Sequence, residues 1–289
     1  MNSFQKWFIV LRAYSWPASI VPILLSGVYS YKNGWFNWFD FSLIFIAGLS
    51  LHLGANVLNT YYDYVNGVDK DDSDDIGIVK NLVSKETAFK VAFALLSISA
   101  IIGFFMVFKY SLYNFLYIAA FGFLLSIFYT ANPVSLKYKA LGEIVIFLCF
   151  GPLIVSGSVM IMAKKFIYDS IWLSIPSAFL IVNILLANNI RDDNSDSERG
   201  IKTIVDLFGV EISKKIYTAL LFLSYFISFF ILSFSKTSLI LLPLLILMYD
   251  LFKLIKKGDY TLLVRKTAQF VLIFGIFFSI AILGLTEKP

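Results

Sequence analysis

Long apolar runs recur along the whole chain, separated by short polar breaks. Nine stretches stand out, at about 8–30, 40–64, 87–108, 112–130, 141–163, 168–190, 211–234, 238–255 and 266–285. An apolar helix needs roughly 20 residues to cross the hydrocarbon core of a bilayer. The pattern therefore predicts an all-α polytopic membrane protein with about nine transmembrane helices. The third and fourth runs, and the seventh and eighth, meet at very short links (Lys109-Tyr110 and Ser235-Lys236), which predicts two antiparallel hairpins. The first run, Trp7 to Tyr31, is too long for a signal-peptide core and has no small-residue cleavage site. It reads as a retained first span.

Composition agrees with that class. Of 289 residues 59% are hydrophobic and only 15% charged, with mean hydropathy +0.80; a soluble domain carries about 25% charged residues. The net charge of +5 is not a nucleic-acid footprint, because the lysines sit mostly in short loops. Cys149 is the only cysteine and His52 the only histidine. Disulfides within the chain, zinc clusters and His-rich metal centres are excluded. Sixteen Lys and Arg residues fall in the even-numbered loops, against six in the odd-numbered loops and C-terminal tail. Positive charge stays on the cytoplasmic side, so the N-terminus is expected in the cytoplasm and the C-terminus outside, in the cell membrane.

Two polar stretches break the apolar pattern in the same way. Asn188–Thr203 (NNIRDDNSDSERGIKT) carries seven charged residues of both signs after an apolar run. Asn188, Asp192 and Asp196 recur every four residues and drift only about 80° around a helix axis. Earlier, Asn59 and Asp63 have the same spacing in NTYYDYVNGVD, and Asp69 follows the Asn66-Gly67 break. One amide and two carboxylates facing one way suit a hard cation bound through oxygen. Asp63 and Asp192 are four spans apart, an even number that keeps both motifs on one side of the membrane, as in parallel repeats. The chain then reads as a single domain over 1–289, of two four-span pseudo-repeats plus a ninth helix. Both stretches face the cytoplasm in this reading, as does the polar segment Tyr129–Gly142 between spans four and five.

One acidic loop alone is as readily a solvated loop. Two with the same helical spacing favour a shared site, because crowded carboxylates repel unless a cation intervenes. Mg²⁺ fits, since it is held by a few carboxylates together with substrate phosphates. Arg12, Lys80, Lys137, Lys139, Arg191 and Lys202 are the cations available to a diphosphate, although each taken singly reads as a topogenic or headgroup charge. Arg191 and Lys202 stand out because they lie inside the second motif. Tyr61, Tyr62 and Tyr64 read as an interfacial aromatic belt, His52 as a packed residue, and Glu143 equally as a base or as a helix N-terminal charge.

These motifs resemble the UbiA superfamily of intramembrane aromatic prenyltransferases, and most closely its 1,4-dihydroxy-2-naphthoate polyprenyltransferase branch, which serves menaquinone synthesis. The first family motif is matched by Asn59, Asp63 and Asp69. The second, N-N-x-R-D-x-x-x-D-x-x-x-G-K-x-T, is matched by Asn188, Asn189, Arg191, Asp192, Asp196, Gly200 and Thr203; Ile201 stands where the family has Lys, with Lys202 next. Pro17 and Pro22, Leu141-Gly142-Glu143 and Phe150-Gly151 also match, and the resemblance spans roughly 7–210. It implies helices around a central cavity, a side opening for an isoprenoid tail, and a metal–diphosphate site at the cytoplasmic end. Mg²⁺ would be held by Asp63, Asp69, Asp192, Asp196, Asn59 and Asn188. Diphosphate would meet Asn59, Asn188, Arg191, Lys202, Lys80, Lys137 and Arg12, and the catalytic residues would be Asp63, Asp69, Asp192, Asp196 and Tyr129, whose aromatic face can stabilise a cation. The substrates would be a polyprenyl diphosphate and a small aromatic acceptor, the naphthoate giving demethylmenaquinone with loss of CO₂ and diphosphate. Alternative acceptors are 4-hydroxybenzoate, homogentisate, chlorophyllide and haem. A cation transporter is the reading from another class, but it predicts acids in mid-span, whereas these lie at span ends. A phosphatidyl-alcohol transferase is disfavoured because its D-G-x-x-A-R pattern is absent from the sequence.

Overall fold

A computed structural model describes residues 2–69, 77–198 and 201–285, with side chains at 194–198 outside the description. Among the described residues the regular secondary structure is all helical, apart from one isolated backbone bridge. The helices are α1 (Ser3–Val10), α2 (Pro17–Lys32), α3 (Trp38–Val65), α4 (Lys85–Lys109), α5 (Phe115–Phe128), α6 (Gly142–Leu148), α7 (Ile154–Ala163), α8 (Asp169–Glu198), α9 (Ile204–Phe208), α10 (Val210–Ile231), α11 (Leu244–Lys257) and α12 (Tyr260–Gly284). Each of the nine apolar stretches carries helix. Among the described residues six helical units are long and apolar enough to cross a membrane, or seven with the bent pair at the N-terminus taken as one span. Large side chains such as Phe93, Ile101, Tyr117, Phe230 and Ile246 face outward, where lipid, not water, is the solvent. The protein is a multi-pass membrane protein.

Four expected elements differ in detail. The first run is not one straight span: Arg12 takes a left-handed conformation (φ 50°, ψ 49°), and the axis bends by 55° between Ser3–Val10 and Ala13–Lys32. Pro17 then opens α2, a position where its missing N–H costs nothing. The fourth and eighth runs make short helices of 14 residues each, about 21 Å long against a core of about 30 Å. The sixth run ends later than its apolar pattern does, because α8 continues without a break through the second acidic motif to Glu198.

α3 packs most extensively on α4, while α12 packs on both α2 and α8, so the first full helix and the last lie side by side. Small residues allow the close approaches. A Cβ on Gly275 would lie 2.5 and 2.7 Å from the Val21 methyl carbons. Gly275→Ala should therefore destabilise the α2–α12 contact by about 1–3 kcal/mol, read as a lower melting temperature in detergent. Between α6 and α7, Cys149–Leu153 forms a wider π-type turn, with Gly151 at φ −111°, ψ −107°. A Cβ there would lie 2.6 Å from that of Ala178 on α8, so glycine lets the kinked span press against its neighbour.

The two ends of α3 hold buried charge. Asp40, at the start, is 1% exposed. It accepts from Lys164 Nζ (2.6 Å) and Tyr110 OH (2.6 Å), with Lys109 3.7 Å away. This ion cluster joins the ends of α3, α4 and α7, and each partner answers the desolvation of the other. Asp63 stands at the opposite end, roughly 35 Å along the helix at 1.5 Å per residue.

Candidate active site

α3 carries a polar stripe made of His52, Asn56, Asn59 and Asp63. Their spacing confines them to an arc of about 60° at 100° per residue. Asn59 and Asp63 are 5% and 2% exposed. Buried polar groups need partners, and these find them partly in each other: Asn59 Nδ2 donates to Asp63 Oδ2 at 2.9 Å.

The remaining partners come from one loop, 129–141, between α5 and α6. Thr130 Oγ1 donates to Asn59 Oδ1 at 2.7 Å. Lys137 Nζ donates to Asp63 Oδ2 at 2.7 Å and lies 3.3 Å from Asn59 Oδ1. The Tyr138 hydroxyl donates to Asp63 Oδ1. Burial, followed by the negative charge of Asp63, pushes the Tyr138 phenol well above its usual pKa; it remains a protonated donor. The loop folds on itself to present these groups. Lys137 N donates to Tyr129 O (2.8 Å), and Ser135, left-handed at φ 45°, donates through its side chain to Thr130 O (3.1 Å).

The same loop reaches the second motif through its backbone. Ala140 N donates to Lys202 O (2.8 Å) and Lys202 N to Tyr138 O (3.3 Å), forming the bridge between Lys139 and Lys202. The Lys202 side chain is exposed, and Ile201 beside it is buried. Thr203 caps α9 in a reciprocal arrangement with Asp206. On α8, Arg191 makes a two-point pair with Asp192 (2.7 and 2.6 Å). Asn188 is half-buried, and Asn189 Nδ2 donates to Glu143 Oε1 at 2.8 Å, fixing α6 to α8.

Of the residues picked out in the sequence, Asn59, Asp63, Asp69 and Lys137 come together; Tyr129 begins the loop that carries Lys137, and Arg12 donates through Nε to the Tyr14 hydroxyl at 2.9 Å. Asp69 N donates to Asp63 O (3.2 Å), folding the chain back on the end of α3. The Tyr129 hydroxyl is under the charges of Glu143, Asp63 and Arg12 at once. Arg191 and Asp192 pair on α8, one turn beyond Asn188, and this second group is tied to the first through loop 129–141 and α6. Lys80 is exposed in a turn at 77–81 and joins neither cluster. The Asp196 side chain and the acids at 71–75 lie outside the described residues. Among the described residues no three Asp, Glu, His or Cys side chains form a ready-made metal cage; Lys137 and Arg191 stand against the carboxylates instead. Thr130 and Tyr138 escaped sequence reading, because nothing in their local pattern shows partners about 70 residues away. The only signal was their place in a polar break on the face predicted for the acids.

Comparison with known proteins bears on the family and the fold. The UbiA prenyltransferase family profile matches residues 19–262. UbiA prenyltransferase domain-containing protein 1 of Dictyostelium discoideum is 32% identical over 290 residues, covering 95% of this chain and 86% of that protein. The Drosophila melanogaster homolog is 31% identical over 285 residues, covering 96% and 79%. Among solved structures, the apo UbiA homolog from Aeropyrum pernix K1 superposes with a TM-score of 0.69 at 12% identity, covering 91% of this chain and 96% of that one. A UbiA homolog from Archaeoglobus fulgidus bound to DMAPP and Mg²⁺ gives 0.63 at 16%, covering 93% and 99%. With helices of this arrangement and both acidic motifs at helix ends, the chain belongs to the UbiA prenyltransferase family.

Proposed function

We propose that this prenyltransferase moves a polyprenyl group from a polyprenyl diphosphate to an aromatic acceptor in a Mg²⁺-dependent reaction, with 1,4-dihydroxy-2-naphthoate as the acceptor. The observation that carries the reading is the buried Asn59–Asp63 pair with Lys137 directly upon it. Acid and ammonium together form a site for an anion that arrives with a cation.

The donor set fits Mg²⁺. Asn59, Asp63 and Asp69 on one side, and Asn188, Asp192 and Asp196 on the other, offer only oxygen, as a hard cation requires. Bound there, Mg²⁺ supplies positive charge where negative charge develops on the leaving diphosphate. The chain's own residues do the rest. Lys137 on Asp63 and Arg191 on Asp192 are donors for the diphosphate oxygens, and the family resemblance adds Arg12, Lys202 and Lys80, of which Lys80 stands outside both clusters. Tyr138 fixes the orientation of the Asp63 carboxylate. The Tyr129 ring offers a π face to positive charge on the allylic carbon. The C–O bond to diphosphate breaks and its electron pair leaves with the diphosphate. The electron-rich ring carbon of the acceptor bonds to the allylic carbon. With a naphthoate acceptor, the carboxyl carbon then leaves as CO₂, returning its electron pair to the ring. Apolar walls keep water from the reacting carbon.

The Asn-Asn-x-Arg-Asp form of the second motif, residues 188–192, supports the naphthoate acceptor over 4-hydroxybenzoate, homogentisate, chlorophyllide or haem. The distribution of Lys and Arg supports a site on the cytoplasmic side of the cell membrane. Purified protein with dihydroxynaphthoate, polyprenyl diphosphate and Mg²⁺ should form prenylated product and CO₂, and EDTA should reduce the rate by at least about 10²-fold, reversibly. Product with 4-hydroxybenzoate alone would move the acceptor. Folded protein that releases no diphosphate with any acceptor would overturn the reading.

A further inference from the structure

Two polar residues of the α3 stripe, His52 and Asn56, take no part in the site described so far. His52 is 7% exposed, and its ring nitrogens face two hydroxyls. Ser19 Oγ lies 2.9 Å from Nδ1 and Ser15 Oγ 3.3 Å from Nε2. Asn56 Nδ2 donates to the same Ser15 Oγ at 2.9 Å. Ser15 Oγ in turn donates to the backbone carbonyl of Arg12 at 2.8 Å.

A serine hydroxyl has one proton and two lone pairs. With the proton on the Arg12 carbonyl, the lone pairs of Ser15 accept from Asn56 and from His52 Nε2–H. Nδ1 is then the acceptor and Ser19 its donor, over a shorter distance than the 3.3 Å to Trp16 O. One proton assignment therefore satisfies the whole network, with His52 neutral. The edge of Phe150 closes the remaining side of the ring (centroids 4.9 Å apart, 76°).

What this network grips is the bend at Arg12. A left-handed arginine is disfavoured, and such conformations persist only where the surroundings enforce them. The guanidinium that the bend places donates through Nε to the Tyr14 hydroxyl at 2.9 Å, with its charge felt at the Tyr129 hydroxyl beside those of Glu143 and Asp63. We propose that His52 and Asn56 are positioning residues that act through Ser15 to hold Arg12 at the diphosphate end of the site. The inference rests on the reading of Arg12 as a diphosphate contact. One helix stripe thus anchors two cation-bearing segments: Asn59 and Asp63 hold the Lys137 loop, and His52 and Asn56 hold the Arg12 bend.

The test is steady-state kinetics on the purified full chain with Mg²⁺ and a fixed acceptor. His52→Phe and Ser15→Ala should each raise KM for the polyprenyl diphosphate by about tenfold, with kcat within about twofold and acceptor KM unchanged. His52→Gln, whose amide can replace the Nε2–H donor, should recover most of the loss. In an Arg12→Gln background, His52→Phe should add less than about twofold, because residues acting through one group are not additive. Full additivity, or a change in acceptor KM instead, overturns the positioning role. So does a raised KM in Arg12→Gln alongside wild-type values in His52→Phe and Ser15→Ala. An unchanged KM in Arg12→Gln removes Arg12 from the diphosphate site and takes the inference with it. Should His52→Phe not fold, Ser15→Ala, which removes one oxygen, carries the same comparison.

Discussion

Asp63→Ala and Asp192→Ala should each lower product formation by about 10³-fold or more, in protein that still elutes as a folded species in detergent. Removing a single group that meets developing charge costs about 10²–10³ in rate, and each of these carboxylates is placed to hold a metal as well. The two differ in what they leave behind. Asp63 is 2% exposed and receives Asn59, Lys137 and Tyr138, so its loss also strands three donors. Asp63→Asn keeps the size of the group and separates charge from packing. Asp192 is partly exposed and pairs with its neighbour Arg191, so its loss takes the carboxylate from that guanidinium. Product formation measured by chromatography, with melting temperature recorded beside it, gives the answer. Near-normal turnover in both alanine variants would end the metal–diphosphate assignment.

The second large effect belongs to Lys137. Lys137→Met keeps the apolar stem and removes the ammonium, and kcat/KM for polyprenyl diphosphate should fall about 10²-fold. Its Nζ contacts both Asn59 and Asp63, a position for a compact point charge. Lys137→Arg should restore only part of the loss, because a planar guanidinium fork does not fit where one ammonium sat. A methionine variant with lower stability but unchanged kcat/KM would reassign Lys137 to holding the loop alone.

Most of the helical scaffold was legible in the sequence, because apolar length is a strong signal in a bilayer. Each of the nine apolar runs carries helix. The Asn59–Asp63 pair was legible too, since a four-residue spacing on a helix is a contact. The rest depended on information that local pattern does not hold. The bend at Arg12 is enforced by Ser15, His52 and Asn56, the last two about 40 residues further along the chain. The π-type turn at Cys149–Leu153 accommodates Ala178 on another helix. Loop 129–141 reads as a polar break that holds the candidates Tyr129 and Lys137, but its pattern does not show that Thr130 and Tyr138 reach α3 beside Lys137. Lys202 was singled out for its charge; its backbone, paired with Tyr138 and Ala140, is what the structure uses.

That backbone pairing bears on how the protein can be recombined with its relatives. The sequence suggests two interchangeable halves with a seam somewhere after the fourth span. Loop 129–141 lies across that seam: its side chains answer α3, and its backbone answers the strand-like step after α8. A chimera cut at the seam would inherit a loop matched to only one of its neighbours. The unit that can be exchanged intact is therefore spatial: the end of α3, loop 129–141 and residues 201–203 taken together, although they are far apart along the chain.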